Sequence, residues 1–246
     1  MLITTSNANK PSVITPIEST TQVNRDAIIT VKNIVKRYKN GRTITTALGP
    51  ISFSVYKGEF FGIYGRSGSG KSSLMNILTS LDSLSEGEIV ANQMLLNKIK
   101  GKELRNYRGS IGIIFQSYNL LPNLNVLDNI LVASWSANRI ENKVYARELM
   151  EKLGITKLAN MNIKTLSGGE KQRVAIARSL INKPSVIFCD EPTGALDYTN
   201  EKQVIEILKD LNKDGITIVM ITHNPDLEGY FDRFITLNDG QILTNI

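Results

Sequence analysis

Gly65-Arg66-Ser67-Gly68-Ser69-Gly70-Lys71-Ser72 fits the pattern G-x-x-x-x-G-K-[ST]. Glycines at this spacing let the backbone bend back and turn successive N–H groups inward, which makes a cradle for an anion. Apolar Phe60, Phe61, Ile63 and Tyr64 precede it as a predicted strand, and Ser73, Leu74, Met75, Asn76, Ile77 and Leu78 follow as a predicted helix. A strand, a glycine turn and a helix N-terminus in that order suit phosphate, because the helix end adds partial positive charge. Lys71 supplies a full charge for β- and γ-phosphates, and the Ser72 hydroxyl can hold Mg²⁺.

Three further stations can act on the same ligand. Val186-Ile187-Phe188-Cys189 delivers Asp190 and Glu191 to the end of a predicted strand. One carboxylate there can organise Mg²⁺ and the next can polarise an attacking water. Leu166-Ser167-Gly168-Gly169-Glu170 opens a helix carrying Val174, Ala177 and Ile181. Ser167 is a natural N-cap, and the paired glycines leave helix N–H groups open to an anion. Read alone, this is an ordinary capped helix. The single histidine, His223, follows Val219-Met220-Ile221-Thr222 at another strand end.

The elements that must hold these residues alternate between strand and helix. Order is expected from about Ala27, with Ile28 to Val35 as a strand, then a basic turn with Tyr38, Asn40 and Gly41. Thr43 to Tyr56 reads as a strand interrupted at Gly49-Pro50, and Gly87 to Leu96 as a hairpin. Lys102 to Tyr107 reads as a short helix and Ile111 to Phe115 as a buried strand. From Gln116 to about Ile181 strand signals vanish. Val126 to Ala137 and Lys143 to Leu153 are predicted helices, with Tyr145, Leu149 and Leu153 on one face. Ser185 to Cys189 and Ile216 to Ile221 are apolar runs expected of parallel strands covered on both sides, with a helix from Asn200 to Leu211 between them. Ile235 to Leu237 and Gln241 to Leu243 flank Asp239-Gly240 as a closing hairpin. This predicts an α/β core with a helical insertion and an antiparallel edge.

The bulk numbers agree. A chain of 246 residues suits one α/β unit with a subdomain. No apolar run approaches the ~20 residues of a spanning helix, and the N-terminus lacks the features of a signal peptide. A lone Cys189 excludes an internal disulfide and suits a reducing compartment. The net charge of +6 is dispersed, so no specific nucleic-acid partner is expected. Residues 1–25, rich in Ser, Thr, Asn and Pro, read as a flexible tail.

The order phosphate loop, Gln116, Leu166-Ser167-Gly168-Gly169-Glu170, Asp190-Glu191, Ala195-Leu196-Asp197 and His223 resembles the ATP-binding-cassette ATPases, from about Ile28 to the end. The resemblance implies a P-loop NTPase core of mostly parallel sheet, an antiparallel β subdomain and a helical insertion bearing the signature. The cassette would span 26–246 and its helical part 116–181. It also implies ATP and Mg²⁺ as ligands. ATP would be held by Gly65, Arg66, Ser67, Gly68, Ser69, Gly70, Lys71, Ser72 and Ser73, with Tyr38 stacked on adenine. Ser72, Gln116 and Asp190 would serve the metal. Glu191, His223 and Gln116 would serve hydrolysis, with His223 bonding the γ-phosphate and Gln116 sensing a membrane partner. Ser167, Gly168, Gly169 and Glu170 would close over ATP on an opposite subunit in a head-to-tail dimer, and Asp197 would bridge the two. Lys171 departs from the family's frequent Gln after the signature; it adds charge near the interface and removes no expected catalytic group.

Ser117-Tyr118-Asn119-Leu120-Leu121-Pro122, Asn129-Ile130 and Asp190 to Asp197 further resemble the bacterial branch of lipoprotein-release, macrolide-efflux and antimicrobial-peptide-resistance ATPases. The implied protein is the ATP-hydrolysing subunit of a bacterial membrane transporter or mechanotransmission complex, at the cytoplasmic face of the cell membrane, peripheral through integral permease subunits, and a homodimer with a second cassette. A soluble cassette acting on ribosomes or nucleic acid is the alternative. Against it stand a single cassette and the absence of sustained heptads. A binding or regulatory protein with little hydrolysis is a third reading, and Glu191 with His223 argues against it.

Overall fold

A computed structural model describes residues 26–136 and 138–245. The tail expected over residues 1–25 lies outside them. Ten strands run β1 (Ala27–Asn40), β2 (Thr43–Tyr56), β3 (Phe60–Gly65), β4 (Glu86–Ala91), β5 (Met94–Leu95), β6 (Ile111–Ile114), β7 (Val186–Asp190), β8 (Thr217–Thr222), β9 (Arg233–Asn238) and β10 (Gln241–Asn245). Six α-helices accompany them: α1 (Lys71–Leu78), α2 (Gly101–Gly109), α3 (Val126–Leu131), α4 (Arg139–Lys152), α5 (Gly168–Leu180) and α6 (Tyr198–Lys213).

The strands form two sheets. One has four strands in the order β2-β1-β4-β5, all antiparallel; the other has six in the order β10-β9-β3-β8-β7-β6. The six-stranded sheet is parallel from β9 to β6, and β10 joins β9 antiparallel. This is the α/β class expected, with its antiparallel subdomain and antiparallel edge.

Alternation explains why the central strands read as unbroken apolar runs. Successive strand residues point to opposite faces, and both faces are covered here. Phe60, Ile187, Cys189, Ile218 and Met220 enter the core shared with α3 to α6. Their neighbours Phe61, Ile63, Val186, Phe188, Val219 and Ile221 enter the second core, shared with α1 and the four-stranded sheet. The stripe predicted on α4 is used too: Leu149 and Leu153 are buried, and Tyr145 packs against the same core.

The expectations differ from the structure in four places. Tyr38 belongs to β1, which continues to Asn40, so the turn is shorter than the basic residues suggest. β2 runs unbroken through Gly49-Pro50, absorbing the pair through register shifts against β1. β6 is largely buried, as expected, although it is one of the sheet's two edge strands, and it ends at Ile114 with Phe115 past its end. α3 stops at Leu131, where a turn follows, and Ala137 lies outside the described residues.

Candidate functional site

Parallel pairing brings the sequence stations together. β3 lies beside β8 with Tyr64 opposite Thr222, and β8 lies beside β7 with Ile221 opposite Asp190. The phosphate loop, Asp190-Glu191 and His223 therefore leave three adjacent strands at the same, C-terminal edge. In open α/β sheets that edge is where ligands bind.

The loop is built around absent side chains. Gly70, the N-cap of α1, sits at φ +103°, and a Cβ there would lie 2.6 Å from Ala47 O and 2.7 Å from Leu48 Cδ2. A Cβ on Gly65 would lie 2.4 Å from Ser69 Oγ and 2.5 Å from Leu237 O. Any side chain at either position would force the loop away from β2 or β9. No side chain caps α1, so its first N–H groups stay available to an anion. Arg66, Ser67 and Gly68 are exposed, as is Ser72; Ser69 is buried and its hydroxyl lacks a protein partner.

Lys71 folds over this cradle. Its Nζ donates to Gly65 O at 2.7 Å and to Arg66 O at 2.9 Å, and the residue is only 6% exposed. Burial pulls its pKa down, while Glu191 and Asp190 pull it up. Asp190 shifts the other way: burial and Glu191 raise its carboxyl, against Lys71. The three charges thus feel one another through space.

Glu191 takes a left-handed backbone, φ 46°, as the chain turns off β7, and its N–H donates to Ile221 O at 3.1 Å. Its side chain reaches His223, with Oε1 3.2 Å from Nδ1. The other oxygen and the Gln116 amide converge on Gly194. A Cβ on Gly194 would lie 3.0 Å from Gln116 Nε2 and 3.6 Å from Glu191 Oε2. Gly194 was not singled out in the sequence, and its location next to Asp190-Glu191 is the one signal that pointed to it.

Ser167 caps α5 in a full capping box. Its N–H and its hydroxyl both donate to Glu170 Oε2 at 2.8 Å, while Glu170 N–H donates to Ser167 Oγ at 3.3 Å. The backbone and hydroxyl donors of Ser167 hold the Glu170 carboxyl below its usual range. The S-x-x-E spacing signals this box, which extends the expected Ser167 cap by the return bond to Glu170. Gly169 packs tightly on α6, since a Cβ there would lie 2.0 Å from Asn200 Oδ1. Gly168 has more room: a Cβ would meet Tyr118 OH at 3.2 Å and Leu196 Cδ2 at 3.3 Å. Asp197 caps α6, accepting from Asn200 N–H at 2.9 Å and Asn200 Nδ2 at 2.7 Å.

Tyr38 stands at the far side of α1. Its hydroxyl donates to Asp82 Oδ2 at 3.0 Å and lies 3.3 Å from Ser73 Oγ. The loop after Gln116 is also held in place. Arg178 of α5 donates to the carbonyls of Asn119 and Tyr118, and buried Asn129 bonds the backbone of Leu121 and Leu124. Arg178 had no sequence signal beyond its polar type; Asn129 belongs to the stretch that carries the resemblance to the bacterial branch.

The donor set fits a phosphate–magnesium ligand. Among the described residues there is no cluster of three or more His, Cys, Asp or Glu side chains suited to a metal cage. Mg²⁺ on a phosphate needs only one or two protein oxygens, since phosphate and water complete its shell.

Comparisons with known proteins point the same way. A family model described as "ABC transporter" matches residues 48–194. The macrolide export ATP-binding/permease protein MacB of Pasteurella multocida is 41% identical over 221 residues, covering 89% of this chain and 34% of the relative. The ABC transporter ATP-binding protein YvrO of Bacillus subtilis is 41% identical and covers 88% of this chain and 96% of its own length. The methionine import ATP-binding protein MetN 2 of Oenococcus oeni is 42% identical, over 89% of this chain and 64% of the relative. The dimeric post-hydrolysis structure of the cassette MJ0796 bound to ADP and Pi matches with a TM-score of 0.81 and 37% identity, over 89% of this chain and 97% of that one. The chain thus spans about a third of the macrolide-export relative and nearly all of the B. subtilis one.

Proposed function

Because the chain belongs to the ABC transporter family, as its ATP-binding cassette, we propose that it binds and hydrolyses ATP and drives a separate membrane permease. The observation that carries this reading is the convergence of the phosphate loop, Asp190-Glu191 and His223 on one sheet edge. We take 26–246 as one cassette with 116–181 as its helical part.

In this reading the α1 N-terminus and the loop N–H groups bind the phosphates, and Lys71 turns from the loop carbonyls to the β- and γ-phosphates. Ser72, Asp190 and Gln116 would hold Mg²⁺, which would supply positive charge against the phosphates. Glu191 orients and polarises the attacking water, and Gln116 helps fix that water in line. His223 bonds the γ-phosphate, and its contact with Glu191 keeps the two side chains in register. Ser167, Gly168, Gly169 and Glu170 present the α5 N-terminus to ATP on a second copy, and Asp197 lies at the seam.

No helix among the described residues is long and apolar enough to cross a membrane; the reading places the chain at the membrane through its permease. The apolar residues from Phe115 to Leu121 would form part of its docking groove. The relatives include proteins named for export and for import. Purification of the tagged chain from native membranes in mild detergent tests the reading. Recovery of a stoichiometric multi-spanning protein supports it. Recovery with ribosomes or nucleic acid and no membrane protein contradicts it.

A further inference from the structure

Lys36 is a lysine with 6% exposure on the outer, antiparallel sheet. A lysine so deeply placed must satisfy three N–H donors away from bulk water. It does so with Asp82 Oδ1 at 2.7 Å, Ser83 O at 2.6 Å and the ring of Tyr38, whose centroid is 4.7 Å from Nζ. Asp82 in turn uses its second oxygen to accept from the Tyr38 hydroxyl. That hydroxyl also lies beside Ser73, in the first turn of α1. Asp82 sits just past the end of the same helix. One aromatic ring is therefore tied at its hydroxyl to the first turn of the phosphate-loop helix and to the loop that folds back after it, and one face meets a cation.

We propose that Lys36 and Asp82 are positioning residues of the nucleotide site, fixing the Tyr38 ring against α1 so that its uncovered face is presented to the base. The inference rests on the reading of Tyr38 as the base-stacking residue. A tyrosine that is 41% exposed would otherwise sample several rotamers, and ordering it on binding would lower affinity. Lys36 and Tyr38 stand two residues apart on β1, beside a register shift against β2, with the ammonium 4.7 Å from the ring centroid. The ammonium meets the ring without any change of backbone. Ionisation of Asp82 is consistent with this geometry. Burial opposes it, but hydrogen bonds from Lys36, the Ser83 amide and Tyr38 prevail and the carboxyl stays below its usual range.

The test is calorimetric binding to the full chain of two probes, ATP and inorganic tripolyphosphate, each with Mg²⁺. The variants are Tyr38→Ala, Tyr38→Phe, Asp82→Ala and Lys36→Met. Tyr38→Phe keeps the ring and removes only its tether. We expect Tyr38→Phe, Asp82→Ala and Lys36→Met each to weaken ATP about 3- to 10-fold, the worth of one ordinary hydrogen bond. Tripolyphosphate binding should be unchanged, which also reports an intact phosphate loop. Asp82→Ala added to Tyr38→Ala should cost nothing further. Wild-type ATP affinity in Tyr38→Phe and Asp82→Ala, with Tyr38→Ala weakened, would overturn the positioning role and leave the stacking role standing. Equal loss of both probes would also overturn it, since the network would then be supporting the phosphate helix. If Tyr38→Ala itself binds ATP normally, the stacking reading fails and the positioning role with it.

Discussion

Glu191 Oε1 stands 3.2 Å from His223 Nδ1, joining the turn after β7 to the end of β8. The contact places the imidazole beside the carboxylate at the strand edge where the phosphate loop also lies. His223→Ala should therefore lower turnover while leaving ATP affinity within about the worth of one hydrogen bond, ~0.5–1.5 kcal/mol. Steady-state phosphate release alongside nucleotide binding would check it; unchanged turnover would deny His223 its role.

Glu191→Gln keeps shape and hydrogen bonding but loses the negative charge. Turnover should fall by about 10²- to 10⁴-fold, the usual contribution of a positioned acid or base. ATP binding should persist, because Gln removes a charge that repels phosphate. Wild-type turnover in this variant would remove Glu191 from the chemistry.

Lys71 meets only backbone carbonyls and neighbouring charges, so Lys71→Ala removes a phosphate contact and breaks no element-spanning side-chain bond. Loss of a charge-assisted contact, about 1.5–3 kcal/mol, corresponds to roughly 10- to 150-fold weaker nucleotide binding. Fluorescent-nucleotide titration measures it directly, and unchanged affinity would contradict the assignment.

The paired glycines of the signature should behave differently. At Gly169 an added Cβ would lie 2.0 Å from Asn200 Oδ1, the side chain bonded to Asp197. Gly169→Ala should disturb the α6 cap and lower the melting temperature. At Gly168 the neighbours are the ends of Tyr118 and Leu196, which can give by a few tenths of an ångström. Gly168→Ala should fold at least as stably, aided by up to ~1 kcal/mol of helix propensity. A melting curve reversed in order would refute the packing argument.

Acid should loosen the helix caps. Glu170 is held below its ordinary pKa by the backbone and hydroxyl of Ser167, and Asp197 by the amides of Asn200. A carboxyl depressed in the folded state contributes stability that is whole above its unfolded value of about 4 and is lost as pH falls through the folded value. Asp190, raised by burial and Glu191, contributes in the opposite sense over the range above about 4. Denaturant melts from neutral to acid pH should show falling stability below pH ~4, with a smaller fall in Glu170→Gln. A flat profile shared by both proteins would deny the box any ionic part.

Much of this was legible before any coordinates. The central strands were readable because burial on both faces leaves unbroken apolar runs, as in Val186–Cys189 and Ile218–Ile221. The phosphate loop was readable because its glycines and lysine carry fixed spacing. The extension of β1 through Tyr38 was not, since basic residues on an exposed strand end look like a turn. Asp82 and Arg178 were equally hidden. Their importance comes from contacts spanning dozens of residues, Asp82 with Tyr38 and Arg178 with Asn119, and no local periodicity records such pairings.

The central claim is that the ATPase site is completed by a second copy. It is tested by mixing two inactive variants, Lys71→Ala with a damaged phosphate loop and Gly168→Ala with a damaged signature. In a mixed dimer the intact phosphate loop of one chain meets the intact signature of the other, so one whole site is restored. Phosphate release should reappear on mixing, at roughly a quarter of the wild-type rate if chains pair at random and each site acts alone. A mixture no more active than its separate components would contradict a shared site, and full activity of Gly168→Ala alone would remove the signature from it.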